Sequence, residues 1–329
     1  MFSLPAPDIS PYSSVKEFIL KDFYRAVYEY NQRVVDCFES TDADIIHCHD
    51  WITINAGMDL KRRHGIPLIF TVHSTEYDRS AFFMPQKWVV DIEKRGMSAA
   101  DKIIAVSRWT KKILNEYYDA PEEKIVPVYN GVNLAILDEK RLEKKGYDKI
   151  SKTVLFFGRL TRQKGPEFFI RMAKKVLEYE NDAIFLVIGK GDMMPELIKQ
   201  AIECGIADHV KFTGLIPDDE VIDILYDAAN IYVLPSVSEP FGISVLEAML
   251  LGVPTIVSRS TGVGESLRNV LRVEYWDTDE MADKVIALLR RAELRETLGK
   301  NSSAEARTFT WERCGRDTEY VYRSVVKGD

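Results

Sequence analysis

The chain has 329 residues, of which 46% are hydrophobic and 29% are charged, and its formal net charge is −7. This composition is typical of a globular enzyme with two domains, and the negative charge argues against nucleic acid as the main partner. No apolar run approaches the roughly 20 residues of a membrane span, and the first 11 residues lack the basic start of a signal peptide. The four cysteines have neither metal-site nor redox spacing, which predicts reduced thiols and a cytoplasmic protein. Basic residues cluster at 61–63 and 111–112. Solvated helix faces are the preferred interpretation of these clusters, and peripheral membrane contact is the alternative.

The first half of the chain alternates between helices and short buried strands, after an initial loop over residues 1–13. A long helix over 15–38 is predicted by apolar residues that recur at helical spacing. Four short apolar runs predict strands. The strands are 44–49, 67–73, 102–107 and 124–129, and the helices between them start near 51 and cover 87–98 and 109–118. The polar and aromatic stretch 74–83 is a predicted active-site loop.

The second half repeats this alternation after a charged, weakly patterned stretch at 134–152, which is typical of a hinge or linker. The predicted strands are 153–157, 183–188, 210–213, 230–235 and 255–258, and the predicted helices are 165–179, 194–204, 218–228, 242–252, 280–290 and 311–326. Such alternation predicts an α/β protein with two Rossmann-like, doubly wound parallel-sheet domains. We expect the first domain to cover 1–150 and the second 151–310.

The segment Phe156-Phe-Gly-Arg-Leu-Thr-Arg-Gln-Lys-Gly165 follows the first strand of the second domain, where a nucleotide-binding loop is expected. Gly158 allows a tight turn, and Arg159 and Lys164 place two cations beside the N-terminus of the next helix. A diphosphate would meet a guanidinium, an ammonium and free N–H groups together. The simpler alternative is a surface loop with two solvated cations. The segment is not a Walker loop, because the Gly-Lys-Ser/Thr ending is absent.

A second motif, residues 236–255, joins a buried strand to a helix through a Pro-Phe-Gly turn. Glu239 lies in the loop and Glu247 on the helix that starts near Gly242. Because ligands of parallel sheets bind at the carboxyl ends of the strands, both carboxylates are candidate site residues. The free N–H groups at the helix start can bind an anion or a sugar hydroxyl.

Histidines at the carboxyl ends of two strands of the first domain are further candidates. His49 and Asp50 follow one strand, and His73 ends the next. A metal site is an alternative, because His47, His49 and Asp50 lie close together in the sequence, but no further cluster of ligands is visible. Hydrogen bonding of His49 to a sugar is the preferred interpretation, and His47 is read as a core residue.

Two glycine-containing loops give weaker signals. Gly189-Lys-Gly191 begins like a dinucleotide fingerprint, but Met194 stands where the third glycine belongs. The loop 258–266 could wrap a phosphate or carboxylate with its backbone N–H groups. A tight strand–helix turn and a plain loop are the alternatives.

Taken together, these motifs resemble the retaining nucleotide-sugar glycosyltransferases of the GT-B fold, and more narrowly the family 4 (group 1) enzymes, with a likeness to glycogen and starch synthases. The resemblance rests on Glu239-Pro-Phe-Gly242, with Glu247 after seven intervening residues, and on Gly-Arg-Leu-x-x-Gln-Lys-Gly at 158–165. It is supported by Asn-Gly-Val at 130–132, His-x-His-Asp-Trp at 47–51 and Thr-Gly-Val at 261–263. It covers about residues 44–327.

The resemblance implies roles for residues of both domains. Arg159 and Lys164 would bind the donor diphosphate and stabilise the leaving group. Glu239 would bind the donor sugar's hydroxyls as a binder rather than a nucleophile, and His49 would face that sugar from the first domain. The other implied donor contacts are Gly158, Phe241, Gly242, Glu247 at the ribose, Thr261 and Gly262. The acceptor side is expected to include His73, Glu76 and Tyr77.

The resemblance also implies an activity. A sugar, with glucose favoured, would move from a UDP- or ADP-sugar to a glycan or other hydroxyl acceptor, with retention of configuration and without a metal or other cofactor. The family's route is front-face attack, in which the leaving phosphate takes the acceptor's proton. The helix 311–327 would return to the first domain.

Family members begin with a strand and a Gly-Gly loop, and this sequence instead goes directly to a helix. We therefore expect an N-terminal domain that lacks its first strand and Gly-rich loop. One alternative follows, a nucleotide-sugar-binding module without transfer activity. A sugar-nucleotide epimerase or a phosphorylase is a further alternative, although the lysine context of a phosphorylase cofactor is absent.

Overall fold

A computed structural model describes residues 18–38, 42–137, 152–217 and 228–326 of the chain. The chain divides into two compact units, one formed by residues 1–128 and 315–329 and the other by 129–314. The expected domain boundary at 150, the predicted loop at 1–13 and the predicted helix at 218–228 lie outside the described residues or reach into the gaps between them. Within the described chain, none of the helices is both long and apolar enough to cross a membrane.

The first unit is built on a four-stranded sheet in the order β1-β2-β3-β4, and all of its strands are parallel. Strand β2 is buried at all five positions, as expected for a strand covered by helices on both faces. The strands are β1 (Ile46–His49), β2 (Leu68–Val72), β3 (Lys102–Ala105) and β4 (Ile125–Pro127). The helices are α1 (Phe18–Asp36), α2 (Trp51–His64), α3 (Glu76–Arg79), α4 (Lys87–Ala99) and α5 (Arg108–Tyr118).

A buried asparagine joins the first two helices. The Asn31 amide group of α1 donates to the carbonyls of Val27 (2.7 Å) and Ile52 (2.8 Å), and its Oδ1 accepts from Ala56 N–H (2.8 Å). All of its bonds run to main-chain groups, so its burial is compensated. The two helices therefore have a fixed register against each other.

The second unit contains a six-stranded parallel sheet in the order β10-β9-β8-β5-β6-β7. The strands are β5 (Thr153–Phe157), β6 (Ile184–Ile188), β7 (Val210–Gly214), β8 (Ile231–Leu234), β9 (Thr255–Ser258) and β10 (Leu271–Val273). The helices are α6 (Pro166–Leu177), α7 (Met194–Glu203), α8 (Ile243–Leu250), α9 (Thr278–Arg290), α10 (Ala292–Ala306) and α11 (Trp311–Val326), the last of which extends into the first unit.

Two parallel sheets with alternating helices confirm the predicted α/β class. The sequence pattern did not reveal strand β10 or helix α10. The buried residues of α10 are Gly299, Ser302 and Ala306. Because these side chains are small, the helix has no apolar stripe for a periodicity argument to detect.

Candidate functional site

The order of the strands in the second unit defines a crevice. From β5 the chain runs to β6 and β7 on one side, and it then returns to β8 and continues to β9 and β10 on the other. Ligands of open α/β sheets bind at such a switch point, outside the carboxyl ends of the strands. Strands β5 and β8 pair at Val154↔Ile231 and Leu155↔Tyr232. The two predicted donor motifs leave the sheet immediately beyond these pairs.

The loop 158–165, called the diphosphate loop after the ligand predicted for it, leaves β5 and ends at the start of α6. Arg159 is exposed, and its Nη2 donates to Oε1 of the buried Gln163 over 3.1 Å. The Gly158 N–H donates to the Ile188 carbonyl at the end of β6 (3.0 Å). A Cβ at Gly189 would lie 1.9 Å from the Gly158 carbonyl oxygen, so only glycine allows this approach. The neighbouring turn thus supports the diphosphate loop directly.

The diphosphate loop contacts the loop after β8 through both side chains and main chain. The Lys164 ammonium forms an ion pair with Oε2 of Glu239. Val237 N–H donates to the Gln163 carbonyl over 2.9 Å. A Cβ at Gly165 would lie 2.2 Å from the Pro235 carbonyl oxygen, which again requires glycine. The structure therefore brings three predicted catalytic residues, Arg159, Lys164 and Glu239, onto two loops that are bonded together.

The loop after β9 completes this side of the site. Glu239 N–H donates to the Ser260 carbonyl (3.0 Å), and the Gly262 N–H donates to the Glu239 carbonyl (2.8 Å). Val263 N–H donates to the Phe241 carbonyl (2.8 Å). The predicted residues Thr261 and Gly262 thus lie against the Glu239 segment, and the glycine-containing loop has a structural partner there.

Helix α8 carries the second carboxylate. It begins after Gly242, and Glu247 lies one turn into it and is half-buried. Phe241 is buried, so it offers backbone rather than side-chain contacts at the surface. The helix N-terminus, two cations and two carboxylates at one sheet edge can bind a ligand that has both negative charge and hydroxyl groups.

The predicted histidines lie together in the first unit. The distance from His49 Nδ1 to His73 Nε2 is 2.9 Å, and the His47 and His49 rings have centroids 4.3 Å apart. His47 also bonds Thr71 Oγ1 (2.7 Å) and the Tyr322 hydroxyl of α11 (2.6 Å). His47 is thus a half-buried residue with hydrogen bonds to β2 and to α11.

Burial and repulsion between neighbouring imidazoles lower the pKa values of His47 and His49. Burial, followed by the charges of His49 and His73, lowers the pKa of His47 to about 4. Burial and then His73 lower the pKa of His49. Neutral imidazoles each offer one donor and one acceptor nitrogen. The Asp50 charge opposes this lowering of the His49 pKa, and Asp50 Oδ1 accepts from the main-chain N–H of His73 (2.7 Å).

Glu76, predicted on the acceptor side, contributes its carboxylate to a buried network. Arg79 Nε donates to Glu76 Oε2 (3.3 Å), and Arg79 Nη2 donates to Glu93 Oε1 (2.6 Å). The Tyr118 hydroxyl donates to Glu93, and Glu76 Oε1 also accepts from Gln86 N–H (3.0 Å). These bonds close the segment 76–86 into a loop. The Glu76 side chain therefore has a structural role at this position.

Tyr77, the other acceptor-side prediction of this segment, is half-buried in an aromatic cluster. Its ring centroid lies 4.8 Å from that of Tyr117 and 6.2 Å from that of Phe82. The backbone beyond it is unusual, because Ala81, Phe82 and Met84 all have positive φ. The buried network described above holds this conformation.

Three residues that the sequence reasoning did not single out have central places here. Gln163 orients Arg159, Glu93 anchors the 76–86 loop, and Tyr232 lies under the crevice. Gln163 lies between two predicted cations, and that position was the available signal for it. Among the described residues, no group of three or more His, Cys, Asp or Glu side chains could hold a metal ion.

Comparisons with known proteins identify the family of this chain. The family model described as "Glycosyl transferases group 1" matches residues 138–305, and that of "Glycosyltransferase Family 4" matches residues 6–136. An uncharacterized glycosyltransferase of Methanocaldococcus jannaschii is 33% identical over 298 residues, which cover 86% of this chain and 76% of the relative. A D-inositol 3-phosphate glycosyltransferase of Acidothermus cellulolyticus is 30% identical over 305 residues, covering 86% and 67%.

Solved structures show the same architecture. Sucrose-phosphate synthase from Thermosynechococcus elongatus superposes with a TM-score of 0.81 at 21% identity, covering 97% of this chain and 83% of the other. HepE from Anabaena, solved in complex with UDP-glucose, gives 0.73 at 18% identity, covering 92% and 82%. At these identities the likeness concerns the fold, and it confirms the predicted GT-B architecture.

Proposed function

Because this chain belongs to the group 1 glycosyltransferases, we propose that it transfers a sugar from a nucleoside-diphosphate donor to a hydroxyl acceptor, with retention of configuration and without a metal. The observation that carries the proposal is the bonded pair of loops at the switch point, with Arg159 and Lys164 on one loop and Glu239 on the other. UDP-glucose is the preferred donor, because HepE of the same fold binds it.

The leaving group determines what the two cations do. When the bond between the anomeric carbon and the diphosphate breaks, negative charge develops on the phosphate oxygens. Arg159 and Lys164 neutralise that charge, which is the kind of electrostatic stabilisation that lowers a barrier most. Since two fixed cations supply it, the reaction needs no metal ion at this point.

Glu239 acts as a binder in this proposal. Its carboxylate already accepts from the Lys164 ammonium and from Ser236 Oγ (3.4 Å). A carboxylate held by a cation is a weak nucleophile, but its remaining lone pairs can accept hydrogen bonds from sugar hydroxyls. The acceptor then attacks from the side of the leaving group, and the departing phosphate takes its proton. Glu247 binds the ribose.

Calorimetric titration with UDP, ADP and GDP and their glucose conjugates tests the donor site. We expect selective binding of one nucleotide, lost in Arg159→Ala and kept in Lys175→Ala, which removes a cation of the same unit that is paired with Asp279. Failure of every nucleotide to bind would refute the proposal.

Transfer is tested with a labelled donor and two acceptors, inositol 3-phosphate and a malto-oligosaccharide. The first is chosen from the name of the D-inositol 3-phosphate glycosyltransferases, and the second from the likeness to glycogen synthases. We expect release of the nucleoside diphosphate in the presence of EDTA and a product whose anomeric configuration, read by NMR, matches the donor. Binding without release to any acceptor would instead identify a nucleotide-sugar-binding module.

A further inference from the structure

Tyr232 lies where the two strands of the switch point separate. It pairs with Leu155 of β5 in the last pair of the β5–β8 ladder, and its side chain is fully buried. Its hydroxyl donates to the carbonyl of Phe157, two residues further along β5, over 3.1 Å. The side chain thus continues the link between the two strands beyond the end of the ladder, directly beneath the crevice.

The same hydroxyl reaches the helix on the other side of the crevice. It lies 3.0 Å from Oγ of Ser244 in the first turn of α8. A phenol has one proton, and the Phe157 carbonyl can only accept, so Ser244 donates to Tyr232 and Tyr232 donates to Phe157. The result is a directed chain of two hydrogen bonds from α8 to the end of β5.

The two ends of this chain adjoin the two halves of the donor site. Phe157 directly precedes Gly158 and Arg159 of the diphosphate loop, and Ser244 lies three residues before Glu247 on the same helix. We propose that Tyr232 is a positioning residue that fixes the distance between the diphosphate loop and helix α8, so that one nucleoside diphosphate is bound at its phosphates and its ribose together. This proposal rests on the proposed function of the site.

The chemistry of the position suits a fixed link. Burial, together with the negative charges of Glu239 and Glu247, raises the pKa of Tyr232, so the phenol keeps its proton across the working pH range. A phenylalanine would fill the same volume but would leave the Phe157 carbonyl without this donor and Ser244 without this acceptor. The loops would then lose a defined spacing without losing the core.

The experiment compares ligands that span the site with ligands that use one half. Tyr232→Phe and Ser244→Ala are titrated with the nucleoside diphosphate that the wild-type chain binds best among UDP, ADP and GDP, with its nucleoside, and with inorganic pyrophosphate. Tyr118→Phe is the matched control, because it removes a buried tyrosine hydroxyl in the first unit. Melting temperatures are recorded for all variants.

We expect Tyr232→Phe to weaken the nucleoside diphosphate about tenfold, the scale of losing one hydrogen bond, while nucleoside and pyrophosphate change less than about twofold. Ser244→Ala should act in the same direction with a smaller effect, and Tyr118→Phe should lower only the melting temperature. Equal weakening of all three ligands, or a loss of stability without any change in affinity, overturns the proposal. If Tyr232→Phe does not fold, unchanged affinities in Ser244→Ala overturn it. Absence of nucleotide binding by the wild-type chain refutes the proposed function itself.

Discussion

Glu93 provides a quantitative test of the buried network in the first unit. The residue is 1% exposed, and its carboxylate contacts Arg79, Tyr118 and the main chain of Glu76. Burial dominates over these partners and raises the pKa of Glu93 from 4.5 to about 7. The substitution Glu93→Gln keeps the shape of the side chain and removes its titration.

The sign and size of the effect follow from linkage. A carboxyl whose folded pKa lies above its unfolded value stabilises the fold fully below pH 4.5, and this contribution is lost as the pH rises through 7. A rise of the Glu93 pKa from 4.5 to about 7 corresponds to about 3 kcal/mol of folding free energy. About 2 to 3 kcal/mol of this stabilisation is lost between pH 5 and pH 8. His47 acts in the opposite direction, since its pKa is lowered to about 4 and its contribution is lost as the pH falls below 6.5.

Because these two contributions overlap, the informative quantity is the difference between wild type and variant. We expect the free energy of unfolding of wild type, relative to that of Glu93→Gln, to fall by about 2 to 3 kcal/mol from pH 5 to pH 8. Urea unfolding followed by tryptophan fluorescence, fitted with one transition per unit, measures it. Glu116→Gln removes an exposed carboxylate paired with Lys112 and should run parallel to wild type. A difference that does not change with pH would refute the reasoning.

Three further predictions concern single side chains. Lys164→Ala and Glu239→Ala should each lower the rate of sugar transfer at least about a hundredfold, whereas the control Lys175→Ala should stay near wild type. Near-normal turnover in both Lys164→Ala and Glu239→Ala would refute the site assignment. Gly189→Ala should weaken nucleotide binding measured by calorimetry, because the new Cβ would lie 1.9 Å from the Gly158 carbonyl oxygen at the start of the diphosphate loop. Unchanged affinity would contradict this, since it would mean that the loop can shift without affecting the ligand. Asn31→Leu should destabilise the first unit by about 1 to 3 kcal/mol in urea, because main-chain groups of α1 and α2 lose their partner, and an unaltered midpoint would contradict this.

The sequence was sufficient for the architecture because the strands are short apolar runs between turns, and their order alternates with helices. The donor motifs were visible for a related reason. Arg159, Lys164 and Glu239 lie in the loops that follow strands β5 and β8, and Glu247 lies in the helix that begins after the second of these loops. The ends of parallel strands meet at one sheet edge whatever the details of packing. The family resemblance then supplied roles that spacing alone does not give.

Partnerships across the fold were not predictable in the same way. Glu76 looked like a cleft residue because its segment is polar, but Arg79 and Glu93 contact its carboxylate or its main chain in the interior. Tyr232 reads as one more apolar residue of a buried strand, and its hydroxyl gains meaning only from Phe157 and Ser244, which are distant in sequence. Such contacts depend on tertiary geometry that residue patterns do not contain.

The chain passes between the units twice, once after Val128 and again after Cys314. In topological terms the second unit is an insertion within the first, which is discontinuous and serves as the host. The host is completed by the end of α11, where Tyr322 bonds His47. A chimera that exchanges only residues 129–314 for those of a relative would therefore keep every segment of the host. A simple cut at the first crossing would separate the host from its own C-terminal piece. Exchanging the second unit between relatives, to test whether donor specificity moves with it, therefore requires two junctions, one after Val128 and one after Cys314.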